Sequence, residues 1–228
     1  MNGVRLGERT WPELATARPV LAVPLGSCEQ HGPHLPLDTD SRIAVALADR
    51  LAARLPGRVL VAPPLTITAS GEHQGFPGTL SIGTEAMTAV LVELGRSAEW
   101  ADGLVLVNGH GGNATAVARA VATLTGEGRR ALAWWPRVAG GDAHAGITET
   151  SLVLALDPDA VHLDRAAAGR TEPVAALAAE LRAEGVRAVS PNGVLGDPAG
   201  ATADIGRALL DELVGQLVEC VTTWIDER

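Results

Sequence analysis

The sequence predicts an α/β fold, in which crossover helices cover a mostly parallel sheet, on three observations. Short apolar runs flanked by glycine or proline alternate with longer alanine- and leucine-rich stretches of helical period. The short runs are apolar at nearly every position, as strands buried on both faces are. Five of the six histidines fall in loops that follow strand candidates, the edge of an open α/β sheet where ligands bind.

The elements follow in order. A strand is expected over Val20 to Pro24, then a helix over Asp40 to Leu55. In that helix Ile43, Leu47, Leu51 and Leu55 recur every four residues as one apolar stripe, with Asp38, Thr39 or Asp40 available as its cap. Arg58 to Ala62 reads as the second strand and Thr84 to Trp100 as the helix after it. Leu104 to Asn108, the helix Ala114 to Leu124 and the strand Ala131 to Trp135 continue the alternation. Three further helices are expected over Thr148 to Leu156, Pro173 to Glu184 and Thr202 to Trp224. Ala139-Gly140-Gly141 is too short for a linker and no internal repeat is present, so residues 1–228 read as a single domain.

Composition excludes several classes. The chain has 228 residues, 46% hydrophobic and 20% charged, enough for one sizeable core. A formal net charge of -9 gives no basic footprint for nucleic acid. All 18 basic residues are arginines, which removes Schiff-base lysine chemistry and any phosphate loop that relies on lysine. Tyrosine is absent, so none serves as a general acid. Cys28 and Cys220 are the only cysteines, too few for a disulfide scaffold or a four-thiolate zinc site, which fits a reducing, cytoplasmic setting. The first thirty residues lack the apolar core of a signal peptide and no run of eighteen apolar residues occurs, so neither export by that route nor a membrane span is expected.

Four loops carry chemistry. Between Glu29 and Asp40 lie His31, His34 and Asp38, a concentration of carboxylates and imidazoles that zinc, manganese and iron(II) accept as ligands. Spacing alone leaves a metal site and an ordinary polar surface loop equally open. Asn108-Gly109-His110-Gly111-Gly112-Asn113 enters a helix start and reads either as an anion-binding turn or as a turn that presents His110 beside a substrate. The missing lysine and the acidic neighbours weigh against phosphate. Gly71 to Leu80, with Glu72, His73 and the only phenylalanine, Phe76, would by itself more often be a structural turn. The fourth loop supplies His144 and, five residues on, Glu149, which could merely complement a helix dipole. Cys28 reads as a small buried residue at a strand end rather than a nucleophile, and His162 as a surface residue. Trp134 and Trp135 end a strand at the functional edge, where core packing is the more common fate and a substrate face the alternative.

Taken together and in this order, Glu29-Gln30-His31-Gly32-Pro33-His34-Leu35-Pro36-Leu37 with Asp40, Glu72-His73 with Phe76-Pro77-Gly78-Thr79, Asn108-Gly109-His110-Gly111-Gly112-Asn113, and His144-Ala145-Gly146 with Glu149-Thr150-Ser151 resemble the creatininase (creatinine amidohydrolase) family. The resemblance spans about residues 20 to 155. It implies a three-layer α/β/α sandwich, two divalent metal ions per subunit (Zn, Fe or Mn), hydrolysis of an amide-type C–N bond, and a homo-oligomer, a hexamer or larger. Carried over, Glu29 and His110 bind one metal, His31 the other, and Asp40 bridges both. The family member that opens creatinine has a further glutamate ligand two residues after the histidine of the third strand's loop; here that position is Gly112. Either Glu149 is therefore the replacement ligand or the second metal is weakly held, and creatinine as substrate is disfavoured. His144 is the expected general acid and base, with Glu149 beside it. His34, His73, Gly111, Gly112 and Trp135 are the expected substrate-binding residues, with a structural role open for each of the two histidines.

The segment Gly71 to Ser81 and the tail Ser190-Pro191-Asn192-Gly193-Val194-Leu195-Gly196-Asp197-Pro198 resemble the branch of that family that serves mycofactocin biosynthesis. That implies a peptidase acting on the modified C-terminal end of a precursor peptide, releasing its Val-Tyr-derived piece. A small cyclic or formyl amide as substrate, and a non-catalytic module that binds an anionic small molecule, are the other readings.

Overall fold

The structure is a computed structural model, and it describes residues 4–227. Four strands, β1 (Val20–Leu25), β2 (Val59–Val61), β3 (Gly103–Asn108) and β4 (Ala131–Trp134), form a sheet of order β2-β1-β3-β4 in which every pair is parallel. The helices are α1 (Trp11–Leu14), α2 (Thr39–Arg54), α3 (Gly83–Ser97), α4 (Ala114–Gly126), α5 (Ile147–Leu156), α6 (Val174–Glu184), α7 (Val186–Val189) and α8 (Ala203–Asp226).

Alternation along the strands sorts the core into two halves. Val20 and Ala22 of β1, Val59 and Val61 of β2 and Val105 and Val107 of β3 face α2, α5 and α8, through Leu47, Leu51, Leu152, Leu213 and Leu217. Leu21, Val23 and Leu25 with Leu104 and Leu106 face the other way, onto Met87 and Leu91 of α3 and Val117 and Leu124 of α4. The result is a three-layer α/β/α sandwich whose strands are apolar throughout because both faces are covered.

The expected elements are all present, with shifted ends. β1 runs one residue further than expected and β2 is shorter, while β4 stops at Trp134 and leaves Trp135 outside the ladder. α3 ends at Ser97, short of Trp100, and α8 continues to Asp226. The short helices α1 and α7 were not expected from periodicity, since four residues are barely one turn. The capping expectation for α2 does not hold: Asp38 occupies the N-cap position without a side-chain cap bond. Its carboxylate instead accepts from Arg42 Nε at 2.7 Å. Thr39 Oγ1 donates to the Pro36 carbonyl, and Asp40 is turned inward toward two imidazoles. Among the described residues no helix is long and apolar enough to cross a membrane.

This order matters for function because the chain leaves β1 toward β2 on one side and β3 lies on the other. The C-terminal ends of β1 and β3, paired up to Leu25 and Asn108, therefore flank a topological switch point.

Candidate metal centre

The loops leaving β1 and β3 converge with the first turn of α2 at that switch point. Gly109 makes the approach possible: a Cβ there would lie 2.8 Å from the Asp40 carbonyl oxygen. The turn after β3 is framed by its two asparagines. Asn113 Nδ2 donates to Asn108 Oδ1 (3.0 Å) and to the Gly26 carbonyl (3.1 Å), and Asn108 Nδ2 donates to the His110 carbonyl (2.6 Å). From the other side come the loop holding His144 and the first turn of α5, which holds Glu149. Ala145, at φ 52°, is the one non-glycine residue in the left-handed region among the described residues. Its N–H donates to Glu149 Oε2 at 2.6 Å and holds that carboxylate at the centre.

Glu29, His31, Asp40, His110 and His144 are buried, and Glu149 is partly so. Asp40 stands between two imidazoles, with Oδ1 3.0 Å from His31 Nε2 and Oδ2 3.0 Å from His110 Nδ1. Ser27 Oγ also donates to Asp40 Oδ2, at 2.9 Å. Glu29 Oε1 lies 3.1 Å from His110 Nδ1, and Glu149 Oε2 lies 3.9 Å from His31 Nε2 and 4.0 Å from His144 Nδ1. The outer nitrogen of each of three histidines meets a backbone carbonyl: His31 Nδ1 that of Glu29 (3.2 Å), His110 Nε2 that of Ala69 (3.1 Å), His144 Nε2 that of Gln30 (2.9 Å). A carbonyl only accepts, so each outer nitrogen carries a hydrogen and the inner one faces the cluster.

The electrostatics of the ion-free cluster follow from burial and these pairs. Burial alone lowers the pKa of an imidazole, but the Asp40, Glu149 and Glu29 carboxylates reverse this for His31 and lift it to about 10. Glu29 and Asp40 do the same for His110, which is raised well above its ordinary value. Asp40, despite its burial, is held well below the usual carboxylate range by His31 and His110. Burial pushes Glu149 up to about 7 and His73 down to about 4. Burial with the neighbouring His31 charge takes His144 well below its ordinary value, and burial also lowers His34 and raises Glu72. Protons on His31 and His110 thus neutralise the buried carboxylates, the task that divalent cations perform in such a cluster.

The residues fit cations. Glu29, Asp40 and His110 form one group whose ligand atoms lie within 4.8 Å of one another, and His31, Asp40 and Glu149 form a second that shares Asp40. Glu29, His31 and His144 form a third. Both carboxylate oxygens of Glu29 are buried without a hydrogen bond, with His110 Nδ1 3.1 Å and His73 Nε2 3.4 Å from Oε1. A buried carboxylate in that state is costly unless a charge meets it, and a mixed imidazole and carboxylate set suits zinc, manganese or iron(II).

A cleft of about 670 Å³ opens beside the cluster, lined by His110, Gly111, Trp135, Arg137, Asp142 and Glu149 among others. Gly111 and Trp135 are among the lining residues, while Trp134 is in the core. His34, His73, Gly112 and His144 are outside the lining. His34 is fully buried behind the site, its Nε2 2.9 Å from Thr150 Oγ1, so that it braces the residue after Glu149. His73 Nε2 is 3.4 Å from Glu29 Oε1, and its ring lies 4.6 Å from that of His144, which lies 4.3 Å from that of His31. At Gly112 a Cβ would collide with Glu72 Oε1, the Ala69 carbonyl and His110 Nε2. Cys28 is half-buried rather than buried, with Sγ 3.6 Å from the Gly78 carbonyl, because the segment around Gly78 covers it only in part. His162 is exposed, as expected.

Three neighbours of the cluster were given no role from the sequence: Ser27, which donates to Asp40, Gln30, which bonds to two histidines, and Glu72, whose Oε1 is 3.6 Å from His110 Nε2. Gln30 stands between Glu29 and His31 in the motif itself, which is the one signal that could have marked it.

Comparison with known proteins agrees with this geometry. The family model "Creatininase: Creatinine amidohydrolase" matches residues 7–221. A protein of Mycobacterium ulcerans named mycofactocin precursor peptide peptidase is 52% identical over 229 residues, covering 96% of this chain and 91% of that one. Among solved structures, a glutamate-to-glutamine variant of creatininase of the Zn-Zn type has a TM-score of 0.79 at 26% identity, covering 97% of this chain and 98% of that chain. A structure titled "Creatininase Mn" has a TM-score of 0.77 at 28% identity, covering 96% and 97%. With its switch-point cluster of imidazoles and carboxylates, the chain belongs to the creatininase (creatinine amidohydrolase) family.

Proposed function

We propose that this chain is a metal-dependent peptidase that cleaves the modified C-terminal end of the mycofactocin precursor peptide and releases its Val-Tyr-derived piece. The 52% identity to a protein of that name supports the substrate, and the chemistry rests on one observation, the sharing of Asp40 between two ligand groups. Glu29, Asp40 and His110 hold one ion; His31, Asp40 and Glu149 hold the other, with Glu149 in place of the ligand missing at Gly112. Two such ions, of zinc, iron or manganese, supply polarisation of the scissile carbonyl and a water acidic enough to attack near neutral pH.

The chain's own residues do the rest. Trp135 and Gly111 line the approach and exclude water from one side of the substrate. His144, kept neutral by burial, presents Nδ1 toward Glu149, takes up the proton lost by the attacking water at that nitrogen and passes it to the departing nitrogen. His73 steadies Glu29 from behind. No protein nucleophile is needed, and Cys28 belongs to none of the candidate ligand groups, its Sγ lying 3.6 Å from the Gly78 carbonyl. The orphaned Glu29 carboxylate favours a cation centre over the anion-binding module, and crowding at Gly112 disfavours the creatinine-opening arrangement. We take residues 1–228 as one domain, working as a homo-oligomer in the cytoplasm, where two free cysteines are at home.

The test is elemental analysis of wild type and Asp40→Ala purified side by side, with the modified precursor peptide and a plain peptide of the same sequence as substrates. Wild type is expected to carry close to two ions per chain and to cleave the modified peptide, and Asp40→Ala to lose most of both. No metal in either protein after reconstitution would overturn the centre; cleavage of neither peptide would overturn the substrate.

A further inference from the structure

Gln30 takes part in four hydrogen-bonding contacts at the centre of the histidine cluster through its side chain, and one more through its carbonyl. Its Oε1 accepts from the Gly32 N–H at 2.8 Å, and its Nε2 lies 3.0 Å from the Gly193 carbonyl. These two backbone groups have fixed polarity, a donor and an acceptor, so the carboxamide has only one permitted orientation: turned over, it would set donor against donor and oxygen against oxygen. The Nε2 group has two hydrogens and three neighbours, namely the Gly193 oxygen, His73 Nδ1 at 2.8 Å and His144 Nε2 at 3.1 Å. His144 Nε2 lies closer, at 2.9 Å, to the backbone carbonyl of Gln30 itself, to which it can only donate. The second hydrogen therefore goes to His73 Nδ1.

Counting donors and acceptors leaves one solution. His73 accepts on Nδ1 and carries its hydrogen on Nε2, which lies 3.4 Å from Glu29 Oε1. His144 carries its hydrogen on Nε2 and has a bare Nδ1, 4.0 Å from Glu149 Oε2. We propose that Gln30 is a positioning residue that sets the tautomer of His73 through its side chain and that of His144 through its backbone carbonyl, leaving the lone pair of His144 Nδ1 on the side of Glu149 and the N–H of His73 on the side of Glu29. Gln30 touches no reacting atom; it decides which nitrogen of each ring is free. The catalytic meaning of the bare Nδ1 rests on the proton-transfer role proposed for His144, whereas the tautomers themselves do not depend on it.

The experiment is side-chain 15N–1H correlation spectroscopy on the zinc-loaded protein, which is diamagnetic, with resonances assigned through His73→Asn and His144→Asn. In the wild type both rings are expected to show the pattern of a hydrogen on Nε2 only. Gln30→Glu has no hydrogen to offer, so His73 is expected to gain one on Nδ1, and turnover of the modified peptide to fall about 10–100-fold, the usual cost of losing an outer partner at a metal site. A wild-type spectrum with either ring protonated on Nδ1 alone overturns the proposal, and that reading needs no variant to fold. An unchanged His73 signature in Gln30→Glu overturns it as well. If the tautomers are as described but turnover in Gln30→Glu is unaffected, the positioning of His73 by the Gln30 side chain has no part in the reaction, and that half of the proposal is overturned.

Discussion

Replacing Gly112 by alanine asks whether the position two residues beyond His110 is closed by the packing around it. A Cβ at this position meets three atoms, Glu72 Oε1, the Ala69 carbonyl oxygen and His110 Nε2, each roughly 1 Å inside ordinary van der Waals separation. The three differ in how they can respond. Glu72 is the end of a flexible, partly exposed side chain and swings away. The Ala69 carbonyl is backbone, fixed through the Ala69 N–H on Asn113 Oδ1 at 3.1 Å, and it is the partner of His110 Nε2. Relief must therefore come from the His110 ring or from the segment that holds it, and His110 Nδ1 is drawn off Asp40 and Glu29. Overpacking of this kind costs about 1–3 kcal/mol, and because it falls on the conformer that binds the ion, affinity at that site should drop about 5- to 150-fold. Urea unfolding of the ion-free protein and zinc competition with a chelator measure the two effects. The double variant Gly112→Ala with Glu72→Ala should recover only a small part, since the backbone contact remains. If Gly112→Ala keeps its stability within about 0.5 kcal/mol and binds zinc as tightly as the wild type, the site has room for a side chain, and the crowding argument against a ligand at this position is wrong.

Two more expectations concern the ions and the protons they displace. Glu149→Gln should lower the zinc content from about two ions to about one per chain, because the group of His31, Asp40 and Glu149 loses a carboxylate while that of Glu29, Asp40 and His110 does not; retention of both ions would remove Glu149 from the ligand set. His31 and His110 are raised in the ion-free fold, so their protonated pairing with the carboxylates stabilises that fold fully below the unfolded value of about 6.5. It is lost as pH rises through about 10 for His31. Zinc must displace those protons, so binding at pH 8 should release about two per loaded chain and tighten as pH rises. Calorimetry in buffers of different protonation enthalpy measures this, and a release near zero would contradict the charge assignment.

The layers of this fold were legible in the chain because local chemistry dictates them. The uninterrupted apolar runs at Val20 and Leu104 require strands covered on both faces, and the four-residue recurrence of Ile43, Leu47 and Leu51 requires a helix with one buried face. Element ends were less legible, as at Trp135, which stands outside the ladder although Asn108 of β3 is next in register. The residue types of the cluster were also readable, but spacing alone left a metal site and a polar surface loop equally open, and the choice between them came from the resemblance of four ordered motifs. The grouping of those residues was not readable. Which carboxylate stands beside which imidazole depends on how β1, β3 and α5 are set against one another, and Gln30 and His144 are 114 residues apart in the chain. Asp40 reads locally as a helix cap, yet burial between His31 and His110 outweighs capping, since two charged pairs in a dry site are stronger than one exposed hydrogen bond. The orientation of the Gln30 carboxamide belongs wholly to the tertiary structure, because it is set by two backbone groups, Gly32 and Gly193, that only the folded chain brings together.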